Sequence, residues 1–195
     1  MPGLKIGVLV SGGGTNLQSV IDATQDGTLA SQITCVISNK EEAYGLVRAR
    51  ENGIQDIFIN PKEANYNEQV LEALKKHEVE LVVLAGYLKI VDTGLIEAYK
   101  GRIINIHPSL LPKYGGKGYY GLYVHEAVIA AGETESGGTV HYVNEGIDTG
   151  EIILQRKVPV YQEDTPQILQ QRVLAEVEHK ILPEAIACIE RGINP

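Results

Sequence analysis

Short runs rich in valine and isoleucine punctuate the first half of the chain: Lys5–Val10, Gln32–Ser38, Gln55–Asn60, Leu81–Tyr87 and Arg102–His107. Each is long enough for a buried strand and too short for a typical helix. The stretches between them, Asn16–Ala23, Ala43–Glu51, Asn65–His77 and Thr93–Tyr99, carry helical periodicity, and two are followed by the stop signals Asn52-Gly53 and Gly101. Strand and helix alternating in this way imply right-handed crossovers, hence a mostly parallel sheet with helices on both faces. The predicted class is α/β, doubly wound and Rossmann-like.

After His107 the rhythm breaks. Pro108, Pro112, Gly115, Gly116 and Gly118 fall close together and predict a long loop. A helix at about Leu122–Ala131 follows, then two alternating strands, Gly138–Asn144 and Ile152–Val160, which add an antiparallel strand late in the chain. Thr165 and Pro166 form the N-cap and first position of a long C-terminal helix reaching about Arg191, with Pro183 expected to kink it near Lys180. No repeat, linker or low-complexity segment interrupts residues 1–195, so a single domain is expected.

The turn Ser11-Gly12-Gly13-Gly14-Thr15-Asn16 hands the first strand to the first helix. In a doubly wound fold this position offers backbone N–H groups and a helix N-terminus to an anion. It lacks the Gly-Lys-Ser/Thr ending of a P-loop. It also fits a dinucleotide fingerprint poorly, because Leu17 stands where a small residue belongs and Asn39-Lys40 where an acid belongs. A phosphate monoester without an adenine half is the better ligand; the alternative is a tight turn that needs glycine only for its dihedral angles.

Asn105 and His107 alternate with isoleucine in Ile103–His107, so both project from one face of a strand that Pro108 ends. Ligands bind at that edge of such a sheet, and an amide beside an imidazole suits stabilisation of an oxyanion. A structural role for His107 stays open, as does a plain-connection reading of Asp148 in Gly146–Gly150. A carboxylate near the imidazole would raise its pKa and keep it protonated, or pass a proton through water. His77, His125, His141 and His179 read as solvated or packing residues. Lys113–Tyr120 reads either as a solvated loop or as a lid over an anion.

With 25 acidic against 17 basic side chains the formal net charge is −8, which disfavours nucleic acid as a partner and places any anion-binding power in a local site. Cys35 and Cys188 make no metal-ligand or redox pattern, and no apolar run reaches a membrane span. A cytoplasmic protein with reduced thiols, no membrane and no metal is expected.

Four segments carry a resemblance: Ser11–Gln18 (Ser-Gly-Gly-Gly-Thr-Asn-Leu-Gln), Val83–Tyr87 (Val-Leu-Ala-Gly-Tyr), Asn105–Pro112 (Asn-Ile-His-Pro-Ser-Leu-Leu-Pro) and Asp148–Gly150 (Asp-Thr-Gly). With them the chain closely resembles the folate-dependent phosphoribosylglycinamide formyltransferases, from about Lys5 to Arg191. The resemblance implies transfer of a formyl group from 10-formyltetrahydrofolate, as co-substrate, to the amine of glycinamide ribonucleotide in purine biosynthesis, without a metal. It assigns Asn105, His107 and Asp148 to catalysis. It assigns Gly13, Gly14, Thr15, Asn16 and Glu178 to the phosphate and ribose, and Leu88, Lys89, Ile90, Val91, Asn144, Gly146 and Ile147 to the folate. It also implies a cis peptide at Leu111-Pro112, and it is compatible with a monomer or a homodimer.

Two departures limit the transfer of contacts. Lys89 stands where relatives commonly have arginine, and Lys113–Tyr123 lacks the usual Pro-Gly-x-His pattern. Beyond Gly12–Asn16, charge selectivity is expected from Lys89 and from Lys113 and Lys117. The rival readings are a formyltetrahydrofolate hydrolase, a methionyl-tRNA formyltransferase and a non-catalytic nucleotide-binding module. The first two usually carry an additional N- or C-terminal domain, for which this sequence leaves no room, and the third should lack the Asn105, His107 and Asp148 set.

Overall fold

The computed structural model describes residues 3–193. Seven strands form one sheet in the order β3-β2-β1-β4-β5-β6-β7, with β1 Lys5–Val10, β2 Gln32–Ser38, β3 Gln55–Phe58, β4 Leu81–Leu84, β5 Ile103–His107, β6 Glu135–Tyr142 and β7 Ile152–Pro159. The first five are parallel, and β6 runs antiparallel to both neighbours. The chain steps outward from β1 to β3 and returns on the other side of β1, so the crevice past the ends of β1 and β4 is the switch point where such sheets bind ligands.

The alternation of side chains divides the core. Ile6, Val8 and Val10 of β1, Leu81 and Val83 of β4, and Ile104 and Ile106 of β5 pack on one face. Covering them are α1 (Thr15–Gln25), α2 (Tyr44–Glu51), α5 (Leu122–Ala130), α6 (Pro166–Val173) and α7 (His179–Glu190). Leu9, Val82, Leu84 and Ile103 face the other way, onto α3 (Tyr66–Lys76) and α4 (Thr93–Ala98). Each fully buried Ile or Leu here contributes about 1.5–3 kcal/mol relative to exposure. Asn105 and His107 share the face of Ile103 but lie at the strand's C-terminal end, where the polar groups meet a cavity instead of a helix.

The C-terminal helix corrects one expectation. Its irregularity is a π-helical turn at Leu174–Glu178, before Lys180 instead of at it, and Pro183 is accommodated within α7. The wider turn carries Glu178, buried at 5% exposure, to the cavity wall. Strand β6 also starts earlier than predicted, at Glu135 instead of Gly138, because Gly137 packs within the strand: a Cβ there would lie 2.0 Å from the Arg156 carbonyl oxygen. Strands β3 and β4 end sooner than their apolar runs, at Phe58 and Leu84. The Leu111-Pro112 peptide is cis, as the resemblance implies.

Candidate active site

A cavity of about 440 Å³ opens at the C-terminal edge of β4 and β5. Asn105, His107 and Asp148, distant in sequence, converge on its floor. Asp148 reaches in from the turn after β6 with φ of 55°, a left-handed conformation that aspartate tolerates better than most residues. Its Oδ2 accepts from Gly116 N–H at 2.9 Å and lies 3.6 Å from His107 Nδ1. Its Oδ1 lies 3.6 Å from His141 Nε2.

His141 is the participant that sequence reasoning missed. In the antiparallel register of β5 and β6 it stands directly opposite Asn105, and its Nε2 accepts from Asn105 Nδ2 at 3.1 Å while its Nδ1–H donates to the Tyr142 carbonyl at 2.8 Å. The signal was present in the alternation of Thr139, His141 and Val143, but reading it required knowing which strand β6 pairs with. The other hydrogen of Asn105 Nδ2 points at Asp148 Oδ1 across 3.5 Å, too long for a strong bond and therefore free to turn to a ligand.

His107 departs from the expected ion pair. Its Nε2–H donates to the Tyr114 carbonyl at 2.7 Å, aimed by a left-handed Tyr114 backbone with φ of 54°. Burial lowers its pKa below the ordinary 6.5, and this outweighs the opposing pull of Asp148. Burial therefore favours the uncharged imidazole, and its Nδ1 faces Asp148. Asp148 itself is pushed up by burial, yet ends below the usual carboxylate range, since protonation of His141 or His107 beside it and the Gly116 N–H favour its charged form.

The remaining histidines differ. His125, fully buried beside the cavity, has no hydrogen-bond partner on either ring nitrogen and is pushed down to about 4, chiefly by burial and then by the His107 charge. His77 ends α3, and His179 lines a second cavity of about 530 Å³ together with Thr15 and Arg48.

Asn16 and Glu178 also line the main cavity, joined by Asn16 Nδ2 donating to Glu178 Oε2 at 2.7 Å. Burial pushes the Glu178 carboxyl up to about 7, with the Asn16 amide opposing. Helix α1 starts at a left-handed Gly14 with no side-chain cap and no acidic residue in its first turn, so its leading N–H groups are unclaimed by side chains. Gly12, Gly13 and Thr15 are exposed, but only Asn16 of this turn borders the main cavity.

Leu88, Lys89, Ile90, Val91, Asn144, Gly146 and Ile147 all line the cavity. Leu88 is fixed by its N–H donating to Ser11 Oγ at 2.8 Å, and Lys89 Nζ rests 4.7 Å from the Tyr66 ring centroid. Asn144 Oδ1 accepts from Gly146 N–H and Thr149 Oγ1, which makes it a brace of its own loop. Lys113 also departs from expectation: it is paired with Glu133 at 2.8 Å, whereas Lys117 lines the cavity. The Ser109–Tyr114 part of the loop is pinned by Thr139 and by Gln155 Nε2 donating to the Leu111 carbonyl at 3.0 Å, while Tyr119 and Tyr120 are exposed.

Comparison with known proteins comes to the same place. Residues 4–186 match the formyl transferase family. The chain is 46% identical to the chloroplastic phosphoribosylglycinamide formyltransferase of Vigna unguiculata over 96% of its own length, and spans 62% of that protein. It is 44% identical to the phosphoribosylglycinamide formyltransferase of Haemophilus influenzae, covering 96% of this chain and 88% of that one. The solved structure of glycinamide ribonucleotide transformylase 1 from Symbiobacterium toebii superposes with a TM-score of 0.91 at 40% identity, covering 97% of this chain and 88% of that one. Among the described residues no helix is long and apolar enough to cross a membrane, and no cluster of metal-ligating side chains occurs.

Proposed function

Since this chain belongs to the formyl transferase family, we propose that it transfers the formyl group of 10-formyltetrahydrofolate to the amine of glycinamide ribonucleotide, with residues 1–195 acting as one catalytic unit. The observation that carries this reading is the convergence of Asn105, His107 and Asp148 between two differently equipped ends of one cavity. One end has the uncapped helix and the buried Asn16–Glu178 pair, suited to a phosphate and a ribose diol. The other has an apolar cleft formed by Leu88, Ile90, Val91 and Ile147, with Lys89 at its rim, suited to a flat heterocycle with a carboxylate tail.

The amine lone pair attacks the formyl carbon and the carbonyl π electrons move to oxygen. Asn105 Nδ2 turns its weakly held hydrogen to that oxygen. As negative charge develops there, His107 gains affinity for a proton, takes one up from solvent on Nδ1 and acts as a second donor, releasing it again when the oxyanion collapses. Asp148 receives the proton that the new C–N bond forces off the amine. As the bond from the formyl carbon to the folate nitrogen breaks, Asp148 gives that proton up, through water, to the departing nitrogen. Placing amine and formyl carbon in one cavity also removes the entropic cost of their encounter.

The test is release of the deformylated product from 10-formyl-5,8-dideazafolate with and without glycinamide ribonucleotide. The proposal expects release that requires the ribonucleotide. Equal release with water alone as acceptor makes the protein a hydrolase and overturns it.

A further inference from the structure

The turn that leads into α1 is braced from behind by α2, and one residue of the brace is charged. Gly45 N–H donates to the Gly12 carbonyl at 3.0 Å, and Arg48 Nε donates to the Gly13 carbonyl at 2.8 Å. In a trans peptide the N–H points opposite to the C=O. Drawing these two carbonyls toward α2 therefore aims the N–H groups of Gly13 and Gly14 away from it, to the open side of the turn. The fit is close, since a Cβ on Gly14 would lie 2.7 Å from Gly45 Cα.

Arg48 is itself held in place. Its Nη1 donates to Gln18 Oε1 at 3.0 Å, Gln18 Nε2 donates in turn to Asp22 Oδ1 at 2.8 Å, and the guanidinium sits 5.0 Å from the Tyr44 ring centroid. None of the ion pairs among the described residues includes Arg48. Its charge thus stands behind the turn with no carboxylate in contact. Arg48 also lines the second cavity together with Thr15, Asp22, Asp26, His179 and Lys180, so its guanidinium stands beside the first turn of α1 as well as behind the Gly13 carbonyl.

We propose that Arg48 is a positioning and specificity-determining residue for the phosphate of the acceptor. It orients the N–H groups of Gly13 and Gly14 toward the phosphate and supplies a fixed positive charge behind them. This inference rests on the ribonucleotide reading of the site. It explains how a chain with a net charge of −8 selects a phosphorylated substrate without a lysine in the turn.

The experiment compares kcat/KM for glycinamide ribonucleotide with that for its dephosphorylated riboside, in the wild type, Arg48→Gln and Arg48→Lys. Arg48→Gln is expected to lower the ratio of the two by about tenfold, mostly through KM for the ribonucleotide, as for one lost charge-assisted contact. Arg48→Lys should restore much of the ratio, because it keeps the charge and one donor. Arg48→Gln that depresses both acceptors equally would make Arg48 a structural brace only, and an unchanged ratio would remove it from recognition; either result overturns the inference. A wild type that formylates neither acceptor refutes the reading of the site itself, a failure distinct from a wild type that is active with an unmoved ratio.

Discussion

Two buried groups at the cavity pull stability in opposite directions as pH changes, and replacing either should unmask the other. Glu178 goes from an ordinary 4.5 to about 7 in the folded chain. Its contribution is fully present below about 4.5 and is lost as pH rises through 7, because the folded state then has to ionise a carboxyl that burial keeps protonated. His125 goes from 6.5 to about 4. Its contribution is present above 6.5 and is lost as pH falls through 4. At about 1.4 kcal/mol per pH unit, each difference amounts to about 3 kcal/mol over its window, and the windows largely overlap. The wild type should therefore hide both. Urea denaturation of wild type, Glu178→Gln and His125→Leu from pH 4 to 8 separates them. The stability of wild type minus that of Glu178→Gln should fall by about 3 kcal/mol between pH 4.5 and 7, and that of wild type minus His125→Leu should rise by a similar amount between pH 4 and 6.5. Differences independent of pH would refute the burial argument for both groups.

Three further outcomes follow from the same geometry. Asn105→Ala should lower turnover by roughly 10²–10³ with the fold intact, as for loss of one oxyanion donor, measured by steady-state kinetics and circular dichroism; near-normal turnover would end that assignment. Asp148→Asn should leave calorimetric binding of the ribonucleotide almost unchanged while abolishing transfer, and loss of binding instead would make Asp148 a substrate ligand. In the ligand-free protein, the NMR titration of His107 should fall below pH 6.5 with the proton on Nε2. A midpoint above 6.5 would show that Asp148 dominates over burial after all.

Much of the architecture was legible because the apolar runs are nearly pure. Lys5–Val10 and Gln32–Ser38 match β1 and β2 residue for residue, since nothing in them competes with strand formation. Thr165-Pro166 started α6 as read, with Thr165 Oγ1 accepting from Ile168 N–H. What failed to show was nonlocal. The start of β6 was read at Gly138 instead of Glu135 because the β7 backbone that Gly137 packs against lies some twenty positions away. His141 looked like an ordinary strand residue because its partners, Asn105 and Asp148, are supplied by strand pairing and by a left-handed turn. The balance at His107 was illegible for a related reason: a neighbouring carboxylate raises its pKa and burial lowers it, and the burial is set by the fold. Lys113 looked available until the fold set Glu133 against it.

The central claim is that one cavity brings an amine and a formyl carbon together over Asn105, His107 and Asp148. A crystal structure with glycinamide ribonucleotide and a non-reactive 10-formyl folate analogue tests it directly. The account predicts the amine nitrogen roughly 3–3.5 Å from the formyl carbon, the formyl oxygen about 2.7–3.1 Å from Asn105 Nδ2, and the phosphate at the head of α1 beside Gly13–Asn16. A formyl group bound away from Asn105, or a phosphate seated elsewhere than on that turn, would contradict it.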